Sequence, residues 1–128
     1  MLKGKRIIVT GSARGMGEAT LNAYVQAGAD VVGMDVSDDA GQSISDKANE
    51  IGPGKCSYIH VDVADKSSVD DSFSKAVKIL GGLDVLAHPA AIQRASNASN
   101  VSVEDWDLMF SVNVKGTMLT NQVAYKYM

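Results

Sequence analysis

The chain has 128 residues, 45% of them hydrophobic and 21% charged, with a formal net charge of -3. That length supports one domain with a real core and excludes two, so residues 1–128 are read as a single domain. The acidic balance and the lack of a Lys/Arg cluster argue against a nucleic-acid partner. No apolar run reaches membrane-spanning length, and the N-terminal MLKGKR leads straight into a strand instead of a signal-peptide core. The expectation is a cytoplasmic protein with no membrane contact. The single Cys56 can form no internal disulfide and reads as a small buried hydrophobe beside a strand.

Strand and helix patterns alternate along the chain. Arg6 to Thr10 is the first strand, and a helix from Met16 to Ala27 follows, stopped by Gly28. Asp30 to Asp35 is apolar enough to be buried on both faces. After a loop over Val36–Asp39, a polar helix spans Ala40 to Glu50 and ends at Gly52-Pro53-Gly54. Cys56 to Val61 is the third strand. The third helix, Ser67 to Leu80, carries Val69, Phe73, Ala76, Val77 and Leu80 at helical spacing, with Asp residues read into its first turn. Asp84 to Ala87 is a short fourth strand, ended by His88-Pro89. A polar loop covers Gln93 to Val101. Ser102 then reads as a cap, with Asp105 three residues on, for a helix continuing through Trp106, Met109, Phe110, Asn113, Met118 and Val123. Four such alternations predict an α/β, Rossmann-like parallel sheet in the order 3-2-1-4, with right-handed crossovers and helices on both faces.

The most informative stretch is Arg6 to Gly17, RIIVTGSARGMG, in which a strand breaks into glycines at 11, 15 and 17 and a helix follows. Gly11 suits a sharp turn, Gly15 leaves room for a pyrophosphate to reach main-chain N–H groups, and Gly17 lets the helix pack closely on the strand. The phosphates would sit at the positive end of the helix dipole. An acid, Asp35, closes the next strand 18 residues beyond Gly17, as a ribose-binding carboxylate would.

With these elements placed, the chain resembles the short-chain dehydrogenase/reductase family along its whole length. Thr10 to Gly17 matches the family's TGxxxGxG cofactor motif, which brings Ser12, Arg14 and Met16 into the candidate site beside the three glycines. Asp62-Val63 resembles the family's adenine-contacting pair. Leu83 to Leu86 leads to the place of the family's NNAG, where this chain has His88-Pro89-Ala90-Ala91 and keeps only Ala90. Trp106 to Gly116, WDLMFSVNVKG, resembles the stretch with the family's catalytic asparagine, here Asn113. The resemblance implies a nicotinamide cofactor, a small alcohol or carbonyl substrate, and a homo-oligomer in which the last helix packs at a subunit interface.

The family's catalytic serine and YxxxK pair would lie beyond the asparagine helix. None of Tyr24, Tyr58, Tyr125 and Tyr127 has a lysine four positions on. The expectation is an N-terminal portion, truncated before the C-terminal strands and inactive alone. The alternatives are a non-catalytic dinucleotide-binding module and an interaction fragment.

Each candidate has a plainer reading. Asp35 either receives a ribose 2′-hydroxyl, favouring NAD over NADP, or is a solvated carboxylate at a strand end. Arg14 pulls toward NADP, since a basic residue in the loop can assist a 2′-phosphate. Asp62 either accepts from the adenine amino group or caps the next helix. Asn113 either holds a catalytic water or bonds to a neighbouring strand. His60 and His88 have no second ligand at metal-binding spacing, so no metal is expected.

Overall fold

A computed structural model describes residues 1–128. Four parallel strands, β1 (Arg6–Thr10), β2 (Asp30–Asp35), β3 (Cys56–His60) and β4 (Val85–Ala87), lie in the order β3-β2-β1-β4. The helices are α1 (Gly15–Gln26), α2 (Asp38–Ile51), α3 (Lys66–Leu80), α4 (Val103–Phe110) and α5 (Gly116–Tyr127), with a π-helical segment, Ser111–Lys115, joining the last two. The connection from β3 through α3 carries the chain across the sheet to the far side of β1. Loops leaving β1 and β4 therefore diverge at their C-terminal ends and leave a crevice.

The apolar runs of β1 and β2 are explained by burial on both faces. Ile8, Val32 and Met34 pack with Val69, Phe73 and Ala76 of α3 and with Leu119, Val123 and Ala124 of α5. On the other face, Ile7, Val9 and Val31 pack with Leu21 and Val25 of α1 and with Ile44 and Ala48 of α2. Cys56 belongs to this second cluster, as a small apolar group, and burial pushes its thiol pKa up. Full burial of a side chain such as Phe73 contributes about 2–3 kcal/mol.

Helix ends follow local chemistry. Gly28 after α1 and Gly81 after α3 take left-handed backbone angles, φ +92° and +76°. Ser102 Oγ accepts from the Asp105 amide at 3.1 Å, as a cap should. The acids expected in the first turn of α3 lie elsewhere. The helix starts one residue early, so Asp65 becomes its cap, accepting from Ser67 N–H at 3.1 Å, while Asp70 and Asp71 pair with Lys66 and Lys75 a turn further on. Helix α2 likewise begins at Asp38, taking in two residues expected in the loop, because acids are favourable in a first turn.

The last helical stretch departs most from its sequence pattern. A single stripe from Trp106 to Val123 is not buried: α4 has no buried residue, and Trp106, Phe110, Val114 and Met118 are exposed, while Leu119, Val123 and Ala124 reach the core. The π-helical segment widens the turn between them and shifts the facing of residues on either side.

β4 is short and half-buried, and Arg6 fixes its start. The guanidinium donates Nε–H and Nη2–H to the two oxygens of Asp84 at 2.9 and 2.8 Å, and Nη1–H to the Gly81 carbonyl at 2.9 Å. This pairing, with the Arg6 amide on the same carboxylate, holds Asp84 well below the usual carboxylate range. The folded-state pKa is depressed, so its stabilisation is complete above the unfolded value of about 3.9 and is lost as pH falls toward the folded value. Thermal melts of Asp84→Asn are expected to show a smaller loss of Tm than the parent between about pH 5 and about pH 2, and equal acid sensitivity would contradict the assignment.

Candidate dinucleotide site

The crevice is built from the bend after β1. Gly11 has φ +64°, and a Cβ there would come 2.7 Å from the Ala90 Cα. A Cβ on Gly17 would collide with the carbonyl oxygen of Gly11. Both are required by contacts within the protein, and Gly17 packs on the peptide of Gly11 instead of on the strand proper. Gly15 differs: φ is +56° and a Cβ would meet nothing within 4 Å. Its bare face opens onto the crevice at the N-terminus of α1, where no side chain caps the first amides. This open cradle of N–H groups fits a diphosphate.

The cleft has a volume of about 500 Å³ and is walled by four loops. The bend contributes Gly11, Arg14, Gly15, Met16 and Gly17, and the end of β2 contributes Asp35, Val36 and Ser37. The segment after β3 contributes Val61, Asp62 and Val63, and the segment after β4 contributes Pro89 to Ile92. Val112 of the π-helical segment closes the wall. Nine of the ten cofactor candidates thus converge on one cavity. Ser12 does not: its side chain is buried toward Gly33, its Oγ has no hydrogen-bond partner, and its amide donates to Met34 O at 3.2 Å.

Asp35 is fixed by its neighbours. One carboxylate oxygen accepts from Ala13 N–H and the other from Ser37 N–H, each at 3.0 Å. Lone pairs remain for a further donor such as a ribose hydroxyl. Asp62 is exposed, and its Oδ1 accepts from Ala64 N–H at 2.9 Å, while Asp65 caps α3. The helix-cap reading of Asp62 is therefore replaced by a local turn that presents the carboxylate at the cleft.

Asn113 lies outside the cleft lining. Its Oδ1 accepts from Ile92 N–H at 2.9 Å and its Nδ2–H donates to Ile92 O at 2.8 Å, so the amide clamps the backbone of one residue of the cleft wall at both its N–H and its carbonyl. His88, where the family carries asparagine, braces the sheet in its own way. Nδ1 lies 2.7 Å from Thr10 Oγ1 and 3.2 Å from Thr120 Oγ1, linking β1, β4 and α5. Burial pushes its pKa down, and Nε2 has no partner.

Spacing in the sequence gave no hint of a cluster beside Asp35. Tyr58 Oη lies 2.7 Å from both the Asp35 carbonyl and Asp38 Oδ1, and His60 Nδ1 lies 2.8 Å from the same Asp38 oxygen. The Tyr58 hydrogen bond, and then that of His60, holds the Asp38 carboxyl below its usual range. Desolvation, and then the Asp38 contact, pushes the Tyr58 phenol up. One signal was available: Gly41, inside a helical pattern, marks a close approach, and a Cβ there would collide with the Tyr58 ring.

Comparison with known proteins agrees with this geometry. The short chain dehydrogenase family matches residues 5–128. The chain is 35% identical over 99% of its length to a sorbitol dehydrogenase of Cereibacter sphaeroides, covering 48% of that protein. It is 34% identical to the 3-oxoacyl (acyl-carrier-protein) reductase FabG of Thermotoga maritima, covering 51% of it. A solved short chain dehydrogenase of Mycobacterium smegmatis superposes with TM-score 0.94 at 29% identity, over 98% of this chain and 52% of that one. One of Burkholderia cenocepacia, solved in complex with NADP, gives 0.93 at 29% identity, over 99% and 52%. The chain spans about half the length of these relatives. A glycine bend, an amide cradle and a 3-2-1-4 parallel sheet on one side, and a family match from residue 5 to residue 128 on the other, lead to one conclusion: this chain belongs to the short chain dehydrogenase family.

Proposed function

We propose that the chain is the dinucleotide-binding part of an oxidoreductase that moves a hydride between a nicotinamide cofactor and a small alcohol or carbonyl compound. The observation that carries the reading is the open face of Gly15 at the uncapped start of α1, in one cleft with the Asp35 carboxylate. Amides at that helix end would hold the diphosphate, and Asp35 would accept from the ribose. The bound nicotinamide would supply the hydride acceptor or donor. Asp62 and the flanking Val63 are assigned to the adenine, and Ala90 to the ribose nearer the nicotinamide.

NAD is proposed ahead of NADP, because a carboxylate beside the 2′ position repels a phosphate and Val36 supplies no positive charge to offset it. Arg14, in the same cleft, keeps that preference modest. Asn113 remains the one member of the family's catalytic set assigned here. With both amide ends on Ile92, it keeps one hydrogen and one lone pair for a water. No tyrosine among the residues present has a lysine four positions on, so we assign no group here to exchange the hydroxyl proton. A non-catalytic dinucleotide-binding module is the alternative, and turnover on adding a complementing C-terminal piece that carries a YxxxK pair separates the two. We further propose a cytoplasmic setting and no nucleic-acid partner; no helix is long and apolar enough to cross a membrane.

Calorimetric titration is expected to show ADP-ribose binding more tightly than its 2′-phosphate, with Asp35→Ala narrowing the difference by about tenfold. Equal affinities in the parent chain would refute the assignment of Asp35. Absorbance of reduced cofactor, followed with NAD and simple alcohols, is expected to stay flat for this chain alone, and sustained turnover would show that the proton-exchanging group is already present.

Self-association is also proposed. Trp106 and Phe110 stack at 4.8 Å while 52% and 48% exposed, and β4 has no neighbour on its outer side. Light scattering at micromolar concentration should report a mass above the 13.5 kDa of one chain, and a single sharp species at that mass would contradict it.

A further inference from the structure

We propose that Tyr58, assisted by His60 through Asp38, is a positioning residue that aims the Asp35 carboxylate and so sets discrimination at the ribose 2′ position. The inference rests on the reading of Asp35 as the ribose acceptor. Both oxygens of that carboxylate take hydrogen bonds from main-chain amides, Ala13 and Ser37. Its direction is therefore fixed by the bend after β1, which carries Ala13, and by the turn between β2 and α2, which carries Ser37.

That turn is held at its two ends by β3. The Asp35 carbonyl accepts from Val61 N–H at 3.0 Å and also faces the Tyr58 hydroxyl at 2.7 Å. Two residues past Val36, Asp38 Oδ1 faces the same hydroxyl at 2.7 Å. Asp38 as a carboxylate can only accept, so His60 Nδ1, at 2.8 Å, carries the hydrogen in that contact. Tyr58 has one hydrogen for two acceptors and shares it between them. Losing the hydroxyl therefore loosens both ends of the turn at once, leaving Val61 N–H alone on the Asp35 carbonyl and His60 alone on Asp38.

The placement of the ring is built into α2. Position 41 must be glycine for the Tyr58 ring to lie against the helix, since any Cβ there collides with it. A helix-weakening residue is thus held in the second turn of α2, where it admits the ring.

The test measures the affinity of the full chain for ADP-ribose and for 2′-phospho-ADP-ribose by calorimetry, in the parent, Tyr58→Phe, His60→Gln and Asp35→Ala. Tyr58→Phe keeps the ring and is expected to narrow the affinity ratio about fivefold, with His60→Gln acting in the same direction by a smaller factor. Hydrogen exchange of the 36–40 amides should quicken in Tyr58→Phe while that of β1 is unchanged, a localisation that general destabilisation would not give. If Asp35→Ala collapses the ratio and Tyr58→Phe leaves it intact, this proposal is overturned and the ribose assignment stands. If Asp35→Ala also leaves it intact, the assignment itself is wrong and the proposal falls with it. Should circular dichroism show Tyr58→Phe unfolded, the ratio in His60→Gln decides.

Discussion

The close contact between Gly17 and the carbonyl of Gly11 is the constraint on which the rest of the molecule depends. A side chain at 17 would drive the start of α1 away from the end of β1. Because the two glycines touch, the first helix begins at the edge of the crevice, and the residues of its uncapped first turn line it. Gly11 makes a second close approach on its other side, to Ala90. One residue thereby joins the bend after β1 to the segment after β4, and the cleft has its floor.

From that floor the remaining walls follow by different physical means. The β2 end is set by hydrogen bonds: Ala13 and Ser37 direct Asp35, and Tyr58 and Asp38 hold the turn that carries Ser37. The β4 end is set by an amide clamp from Asn113 onto Ile92, supplied by the π-helical segment. Extra-wide helical turns are common where a helix must present a side chain to a site, and here the segment also separates the exposed α4 from the core-packed α5. Across the sheet, His88 and the hydroxyls of Thr10 and Thr120 make a junction in place of the asparagines that the family motif would supply. A different side chain meets the same need to tie β4 to its neighbours.

Much of this was legible in the residues. Strand order and the two-faced core followed from four alternations and from apolar runs too continuous for a half-exposed sheet. The glycine spacing and the acid closing β2 located Gly11, Gly15, Gly17 and Asp35 as local signals with a backbone cause, and the family resemblance supplied the other five cleft residues. Ser12 was placed in the site by its position in the motif, yet the sharp bend turns its side chain into the sheet, a direction that spacing alone does not encode. Trp106 and Phe110 read only as residues at helical spacing, because periodicity shows that a helix has an apolar side but not whether anything covers it. The Tyr58, Asp38 and His60 cluster was hidden for another reason: Tyr58 and His60 share β3 but Asp38 opens α2, and only the parallel register of β2 and β3 brings that helix start beside them.

The central claim, that the bend after β1 exposes an amide cradle for a diphosphate, is tested most directly by following amide resonances of the labelled chain while ADP is added. The account predicts that Gly15, Met16 and Gly17 shift first and furthest, with Asp35 and Ser37 following, and that the outer face of α2 is unmoved. Saturable shifts confined to surfaces away from Gly15, or none at millimolar ADP, would contradict it.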